Sequence, residues 1–169
     1  MSQYTPTSGT ILQINHNHIN ASQYGCELTL TLQSMDQGIV NIAISGSTYV
    51  FNHHPLKVGD SVTCFYSLLA PVPLIYPPLY RALVVVPTPA GTYASLDIYH
   101  RLSHSNQLAN SDDTLILNLS RQIPIQLPNG QPFFGALSDK LLLVLYSATT
   151  RSIPAQTTPD QIIVFCTGE

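Results

Sequence analysis

Hydrophobic and polar positions alternate with a period of two along much of the chain. Leucine alternates with other, mostly polar, residues over 28–32 and 115–119, and valine and isoleucine do so over 40–44. Side chains two positions apart on a strand share a face. Each of these segments therefore predicts a β-strand with one apolar face.

Three further segments are apolar without interruption, at residues 82–86, 141–145 and 162–165. Short continuous runs of this kind are typical of strands covered on both faces. Turn-forming residues separate the runs, at 36–38, 45–47, 58–60 and 128–130. Since no stretch of a dozen residues carries a helical stripe, the pattern predicts an all-β chain.

The two halves of the chain resemble each other in pattern. Three pairs of segments correspond: 9–11 with 91–93, 28–32 with 115–119, and 65–67 with 145–147. A proline-containing loop and an apolar strand then close each half. We interpret this as two copies of one five-strand unit, residues 9–87 and 91–167.

Each predicted unit has the strand order of a small OB-like Greek-key barrel. The segment 56–62 resembles the Gly-Asp turn that leads into a bending strand in such barrels. The linker at 87–91 is too short for free domain motion, so we expect the barrels to pack together, as one fused double barrel or as two. Residues 1–8, with Tyr4 and Pro6, predict an extended arm that adds a strand to a neighbouring molecule. A disordered tail fits the same residues.

Charge is scarce in this sequence. Only 9% of the 169 residues are charged and the net charge is −3, whereas 51 residues are Ser, Thr, Asn or Gln. Six basic residues do not form a phosphate-tracking groove, so nucleic acid is excluded as a main partner. No apolar run is long enough to span a membrane, and no standard secretory signal opens the chain, unless one was removed. An uncharged polar surface suits close packing of many copies, because it repels its own copies only weakly.

The three cysteines, Cys26, Cys64 and Cys166, are odd in number. Two of them pairing would leave one for a disulfide with another chain. The alternative is that all three are buried thiols acting as small apolar residues.

The segment 70–80 is the most distinctive in the chain. Four prolines with Tyr76 and Tyr80 restrict it to extended conformations, which favours a preformed binding surface for a sugar, a peptide or a partner loop. We therefore consider Pro73, Tyr76, Pro77, Pro78 and Tyr80 as binding residues. The alternative is a clamp in which the tyrosines cover one end of a barrel.

The segments 70–80, 152–159, 57–60 and 127–130 resemble a family of uncharacterised β-domains from Gram-positive, often clostridial, bacteria. Domains of that family stand beside copper-amine-oxidase N-terminal-like domains in exported proteins, a name that does not imply oxidase activity. The resemblance supplies no catalytic residues. This chain departs from the family by its missing export signal and its low charge, which favours release by another route, such as spore-surface assembly.

Enzymatic chemistry finds little support in the sequence. His16 and His18 share one face of a predicted strand, but no third ligand stands at a fixed spacing, so they are weak metal candidates. No nucleophile elbow, zinc-binding HExxH motif or phosphate loop is present. We therefore expect no catalytic residue, no metal and no cofactor.

Our leading hypothesis is a non-enzymatic structural protein that assembles with its own copies into a fibre, sheet or coat. It would lie at a bacterial cell or spore surface, with the cytoplasm as the alternative location. The second hypothesis is a soluble module that binds a glycan or peptide through the loop at 70–80.

Overall fold

The computed structural model describes residues 2–16, 21–103 and 106–166, and within them every regular element is a strand or a short 3₁₀ turn. Strands account for 48% of the described residues, against the usual share of roughly 20–25%. The predicted all-β class is confirmed. The chain divides into two compact units, here called the first unit (Tyr4–Ala90) and the second unit (from Gly91 onward).

The first unit is built on one mixed sheet of seven strands. The strands are β1 (Tyr4–Asn15), β2 (Glu27–Ser34), β3 (Gly38–Ser45), β4 (Tyr49–Val50), β5 (Ser61–Ser67), β6 (Leu79–Arg81) and β7 (Val84–Pro87), with 3₁₀ turns at Ala21–Gln23 and Phe51–His53. Their order in the sheet is β4-β7-β5-β1-β2-β3-β6. The edge strands β4 and β6 pair in parallel with their neighbours, and all other pairs are antiparallel.

Side chains from all seven strands enter a single hydrophobic core. Leu30, Leu32, Val40 and Ile42 are fully buried, as their alternation predicts. They pack with residues of β1, β4, β5, β6 and β7 in one cluster. A single sheet brings side chains of every strand into one cluster only by curving around it, so the sheet of the first unit is curved.

None of the sheets closes into a barrel, and the predicted OB-like tandem barrels are not confirmed in that detail. In the first unit the two edges are β4 and β6, which have two and three residues and do not pair with each other in the described chain. Edge strands this short offer few backbone N–H and C=O groups that could pair with each other and close the sheet into a barrel.

The predicted N-terminal arm is wrong, because residues 4–8 are the first part of β1. Tyr4 pairs with Ser67 of β5, and Pro6 pairs with Phe65. Alternating threonines favour a strand here, and β5 supplies its backbone partners. Proline is tolerated because this part of β1 has a neighbouring strand on one side only.

The second unit contains two four-stranded sheets. Its strands are β8 (Tyr93–Ile98), β9 (His100–Arg101), β10 (Gln107–Ala109), β11 (Leu115–Asn118), β12 (Ile125–Gln126), β13 (Leu141–Tyr146), β14 (Ala155–Thr157) and β15 (Gln161–Phe165). One sheet has the order β12-β15-β13-β8 and the other has the order β14-β11-β10-β9. The uninterrupted apolar run in β13 is buried, as predicted, and so are residues 162–164 of β15. Phe165 is half-buried, and in the run at 82–86 Leu83 is exposed.

The two units follow the same strand order. Reading β8 and β9 together as the counterpart of the single long strand β1, the two sheets of the second unit repeat the seven-stranded order of the first. The parallel pairs recur at the same places, with β12/β15 matching β4/β7 and β11/β14 matching β3/β6. The arrangement is therefore duplicated in topology.

Two of the predicted correspondences between the halves are wrong. The segment 115–119 matches β3, not residues 28–32, because β11 pairs in parallel with β14 as β3 does with β6. Tyr93 matches Thr5, not Ile11, since these two residues pair with Tyr146 and Tyr66 at equivalent positions of β13 and β5. This register takes the predicted match between 65–67 and 145–147 as its starting point.

Gly9 marks the point where β1 is paired on both sides. It stands opposite Val62 of β5 and Ser34 of β2. A Cβ atom at this position would lie 2.4 Å from the backbone carbonyl oxygen of Gln33, which is too close for any side chain. The strand passes between its neighbours here because residue 9 has no side chain.

We predict that Gly9→Ala destabilises the protein by on the order of 3 kcal/mol, because β1 and β2 must separate locally. Urea unfolding followed by circular dichroism measures the change. Gly46→Ala is the matched control, since nothing lies within 4 Å of a Cβ there and its backbone is not in the left-handed region. A Gly9→Ala protein as stable as Gly46→Ala would contradict the close approach.

A second prediction concerns acid stability. The carboxylate of Asp60 accepts hydrogen bonds from His54 Nε2 at 3.0 Å and from the Lys57 backbone N–H at 3.0 Å. The bond from His54, followed by that from Lys57, lowers the pKa of Asp60 below its usual value. A lowered carboxyl pKa stabilises the fold above the unfolded-state value of about 3.9, and this stabilisation is lost as pH falls through the folded-state pKa.

We therefore expect Asp60→Asn to be less stable than the wild type at pH 6, with the gap narrowing below about pH 4. The difference in stability is measured as the difference between the urea midpoints of wild type and Asp60→Asn over this pH range. A gap that stays constant with pH would show that the carboxylate charge contributes nothing.

Candidate functional site

The loop between β5 and β6, residues 68–78, exposes apolar side chains to solvent; we call it the apolar loop. It contains four prolines and no charged residue. Leu69, Leu74, Ile75 and Tyr76 are exposed, with Tyr76 at 83% of its full accessibility. Contiguous exposed apolar surface is typical of interaction sites, which makes this loop the candidate site.

Both ends of the apolar loop are fixed to the sheet of the first unit. The carbonyl of Pro78 accepts the backbone N–H of Asn41 in β3 at 2.9 Å, just before β6 begins. At the other end the Ala70 N–H donates to the Ser67 carbonyl at 3.3 Å. Prolines restrict the backbone between these points, and the Tyr76–Pro77 peptide bond is cis.

A pair of stacked tyrosines lies beneath the loop. The rings of Tyr66 in β5 and Tyr80 in β6 are nearly parallel, with centroids 4.1 Å apart. Tyr80 Oη donates a hydrogen bond to Gln37 Oε1 at 2.9 Å. Burial, and secondarily the neighbouring Tyr80, raises the pKa of Tyr66, so its hydroxyl is neutral at physiological pH.

A small cavity of about 190 Å³ lies between the stacked tyrosines and the loop. Pro71, Val72, Pro73 and Leu79 supply most of its apolar wall. Its one lining cation, Arg81, forms an ion pair with Glu27 at 3.0 Å. The cavity is therefore apolar and close to neutral, which suits an uncharged occupant.

The five loop residues that the sequence predicts as binding residues have different environments in the structure. Pro73 is exposed and lines the cavity, whereas Tyr76 projects into solvent. Pro77 and Pro78 are half-buried at the base of the loop. Tyr80 packs against the core, so a clamping role fits Tyr80 but not Tyr76.

The sequence reasoning missed the aliphatic part of this surface. Besides the predicted prolines and tyrosines, Leu68, Leu69, Leu74 and Ile75 are exposed. The absence of any charged residue between Ser67 and Tyr80 was the available signal. A connection between strands normally carries polar residues, so an uncharged, largely apolar loop is unusual.

Within residues 2–16, 21–103 and 106–166 no group of three His, Cys, Asp or Glu side chains is arranged to hold a metal ion. His16 is exposed, and His18 lies outside the described residues. His54 is engaged with Asp60, and His100 Nε2 lies 3.1 Å from Asp113 Oδ1. His54 and His100 therefore each interact with one carboxylate.

The cysteines differ sharply in environment, and none of them forms a disulfide within the chain. Cys26 and Cys166 are exposed, whereas Cys64 is fully buried in the core of the first unit. Burial raises the pKa of Cys64 to about 12. A fully enclosed thiol does not reach a second chain, so the prediction that Cys64 bridges to a neighbour is wrong for the folded protein.

Comparison with protein-family models, curated proteins and solved structures finds no match to this chain. The described residues include no helix with the length and hydrophobicity needed to cross a membrane.

We predict that two thiols of the folded protein react with Ellman's reagent and that the third reacts only after unfolding. Cys26 and Cys166 react because they are exposed, and Cys64 is protected by burial. Counting the released chromophore before and after adding denaturant measures both classes. A Cys26→Ser, Cys166→Ser double variant should show no reaction while folded; a reaction there would mean that Cys64 is accessible.

Proposed function

We propose that this protein is a non-enzymatic structural subunit that associates with its own copies through the apolar loop of the first unit. The exposure of Leu69, Leu74, Ile75 and Tyr76 on a loop fixed at both ends supports this most strongly. A preformed loop loses little conformational entropy on association, so its apolar surface contributes efficiently to binding.

A second copy of the chain is the partner best matched in charge. The apolar loop and the adjacent cavity are both neutral, since Arg81 is paired with Glu27. Loop and cavity therefore complement each other, and a twofold contact lets each copy place an aliphatic side chain such as Leu74 in the cavity of the other. Low charge over the whole chain weakens the repulsion between copies.

The sheet of the first unit favours association through side-chain contacts over association by adding a partner strand to its edge. Its edge strands β4 and β6 have two and three residues, which gives a partner strand few backbone groups to pair with. Tyr4 and Pro6, expected to pair with a neighbouring molecule, are already paired within β1. Cys26 and Cys166 remain available to cross-link assembled copies.

We also propose where the copies assemble. The resemblance to β-domains of Gram-positive bacteria favours a cell or spore surface, where a protein of low charge packs into a fibre, sheet or coat. In that setting the exposed thiols would form intermolecular disulfides, because such surfaces are oxidising.

The cavity also supports a second candidate, a module that binds a glycan or peptide. The predicted OB-like character of the first unit supports this candidate, because OB folds bind ligands beside loops that connect their strands. Pro73 lines the cavity and the exposed Tyr76 stands nearby on the same loop. An extended, uncharged peptide would suit this surface.

We predict that the wild-type protein associates reversibly and that replacing Leu69, Leu74 and Ile75 together by serine weakens association at least about tenfold. Analytical ultracentrifugation over a wide concentration range, with reductant present, measures the equilibrium. Val58→Ser is the control, because Val58 is also exposed but lies near the opposite end of β5. A wild type that is monomeric at every concentration overturns the proposal.

For the second candidate we expect Tyr76→Ala to abolish a binding signal found with glycan and proline-rich peptide arrays. Tyr24→Ala, an exposed tyrosine elsewhere in the first unit, should leave that signal unchanged. Equal signals in both variants would exclude the apolar loop as the binding surface.

A further inference from the structure

We propose that the second unit binds a small aromatic carboxylate in a cavity of its own, separate from the apolar loop. This cavity, here called the Arg101 cavity, has a volume of about 340 Å³. That value lies at the small end of the roughly 300–1,000 Å³ typical of ligand pockets. Its principal lining residues are Arg101, Leu108, Leu119, Ile125, Phe133 and Leu137.

The apolar wall draws on both sheets of the second unit. Leu108 belongs to β10 of one sheet and is almost fully buried, and Ile125 belongs to β12 of the other. Leu119, Phe133 and Leu137 are half-buried and pack against the same core. The wall is therefore continuous with the hydrophobic core and is held rigidly.

The aromatic floor of the cavity is fixed from two directions. A Cβ atom on Gly135 would lie 2.7 Å from Cζ of Phe133, so the backbone at Gly135 packs directly on the ring. Lys140 Nζ lies 5.8 Å from the centroid of the same ring and donates a hydrogen bond to the Ala136 carbonyl at 2.7 Å. An aromatic ring fixed in an apolar wall favours contact with an aromatic ligand, including contact at the ring edge.

Arg101 supplies the charge that selects the ligand. It is the only charged residue among those lining the cavity, and no acidic side chain in the described part of the chain pairs with it. By contrast, its neighbour His100 is paired with Asp113, and Arg81 beside the cavity of the first unit is paired with Glu27. An unpaired guanidinium beside an apolar wall fits a carboxylate, which it binds in a bidentate manner.

These two features together define the ligand class. The apolar volume accommodates the body of the ligand, and Arg101 binds its single negative charge at the rim. Phe134, which also lines the cavity, is exposed to solvent. The site does not depend on self-association through the apolar loop, because it lies wholly within the second unit.

The test uses 2-naphthoate as the probe and 2-naphthamide as its uncharged counterpart. In a titration of the full-length ¹⁵N-labelled protein followed by NMR, we expect 2-naphthoate to shift the amide signals of residues 101, 108, 119 and 133–138. We expect Arg101→Gln to weaken 2-naphthoate binding at least about tenfold. Binding of 2-naphthamide should be weaker and unchanged by this substitution.

Two further variants separate the site from general effects of charge and folding. Arg151→Gln removes another exposed arginine of the second unit and should leave binding unchanged. Ala136→Trp places a large side chain at an exposed position of the cavity and should block both probes. Equal binding of 2-naphthoate to wild type and Arg101→Gln, shifts confined to other residues, or no binding at millimolar probe would each overturn the proposal.

Discussion

The first unit depends on the close approach of β1 and β2 at Gly9. From this residue β1 begins to pair with β2, and at Gly9 and Thr10 it pairs with β5 and β2 at the same time. Without room for the Gln33 carbonyl there, β1 and β2 would be forced apart at this point of the sheet. That continuity carries the core contacts from β7 at one side to β6 at the other, and it thereby holds the two ends of the apolar loop.

The second unit has a different residue and a different strand arrangement at the position equivalent to Gly9. The register of β8 against β13 places Asp97 where the first unit has Gly9, and here the long strand is replaced by two short strands, β8 and β9. The Asp97 carboxylate is buried and accepts hydrogen bonds from the backbone and hydroxyl groups of Ser111. One topology thus exists as a continuous sheet and as a divided one, with a larger cavity lined from both sheets in the divided form.

Local pattern predicted the strands well and their partners poorly. The period of two over 28–32 and 40–44 identified buried strand faces because it reflects burial directly. It did not show that residues 115–119 correspond to β3, since alternation carries no information about the neighbouring strand. Arg101 and Phe133 are far apart in sequence and meet only through the fold. The alternative that all three cysteines are buried holds for Cys64 but is wrong for Cys26 and Cys166, which are exposed, because composition does not show on which side of a strand a cysteine lies.

The short edge strands of the first unit have a consequence for any material built from this protein. Cohesion between copies would rest on aliphatic and aromatic side chains instead of a shared ladder of backbone hydrogen bonds. Apolar cohesion weakens on cooling, whereas the stacked backbone ladder of amyloid gives extreme thermodynamic and kinetic stability. Before any covalent cross-linking, such a material would soften in the cold and re-form on warming, so its copies would remain exchangeable.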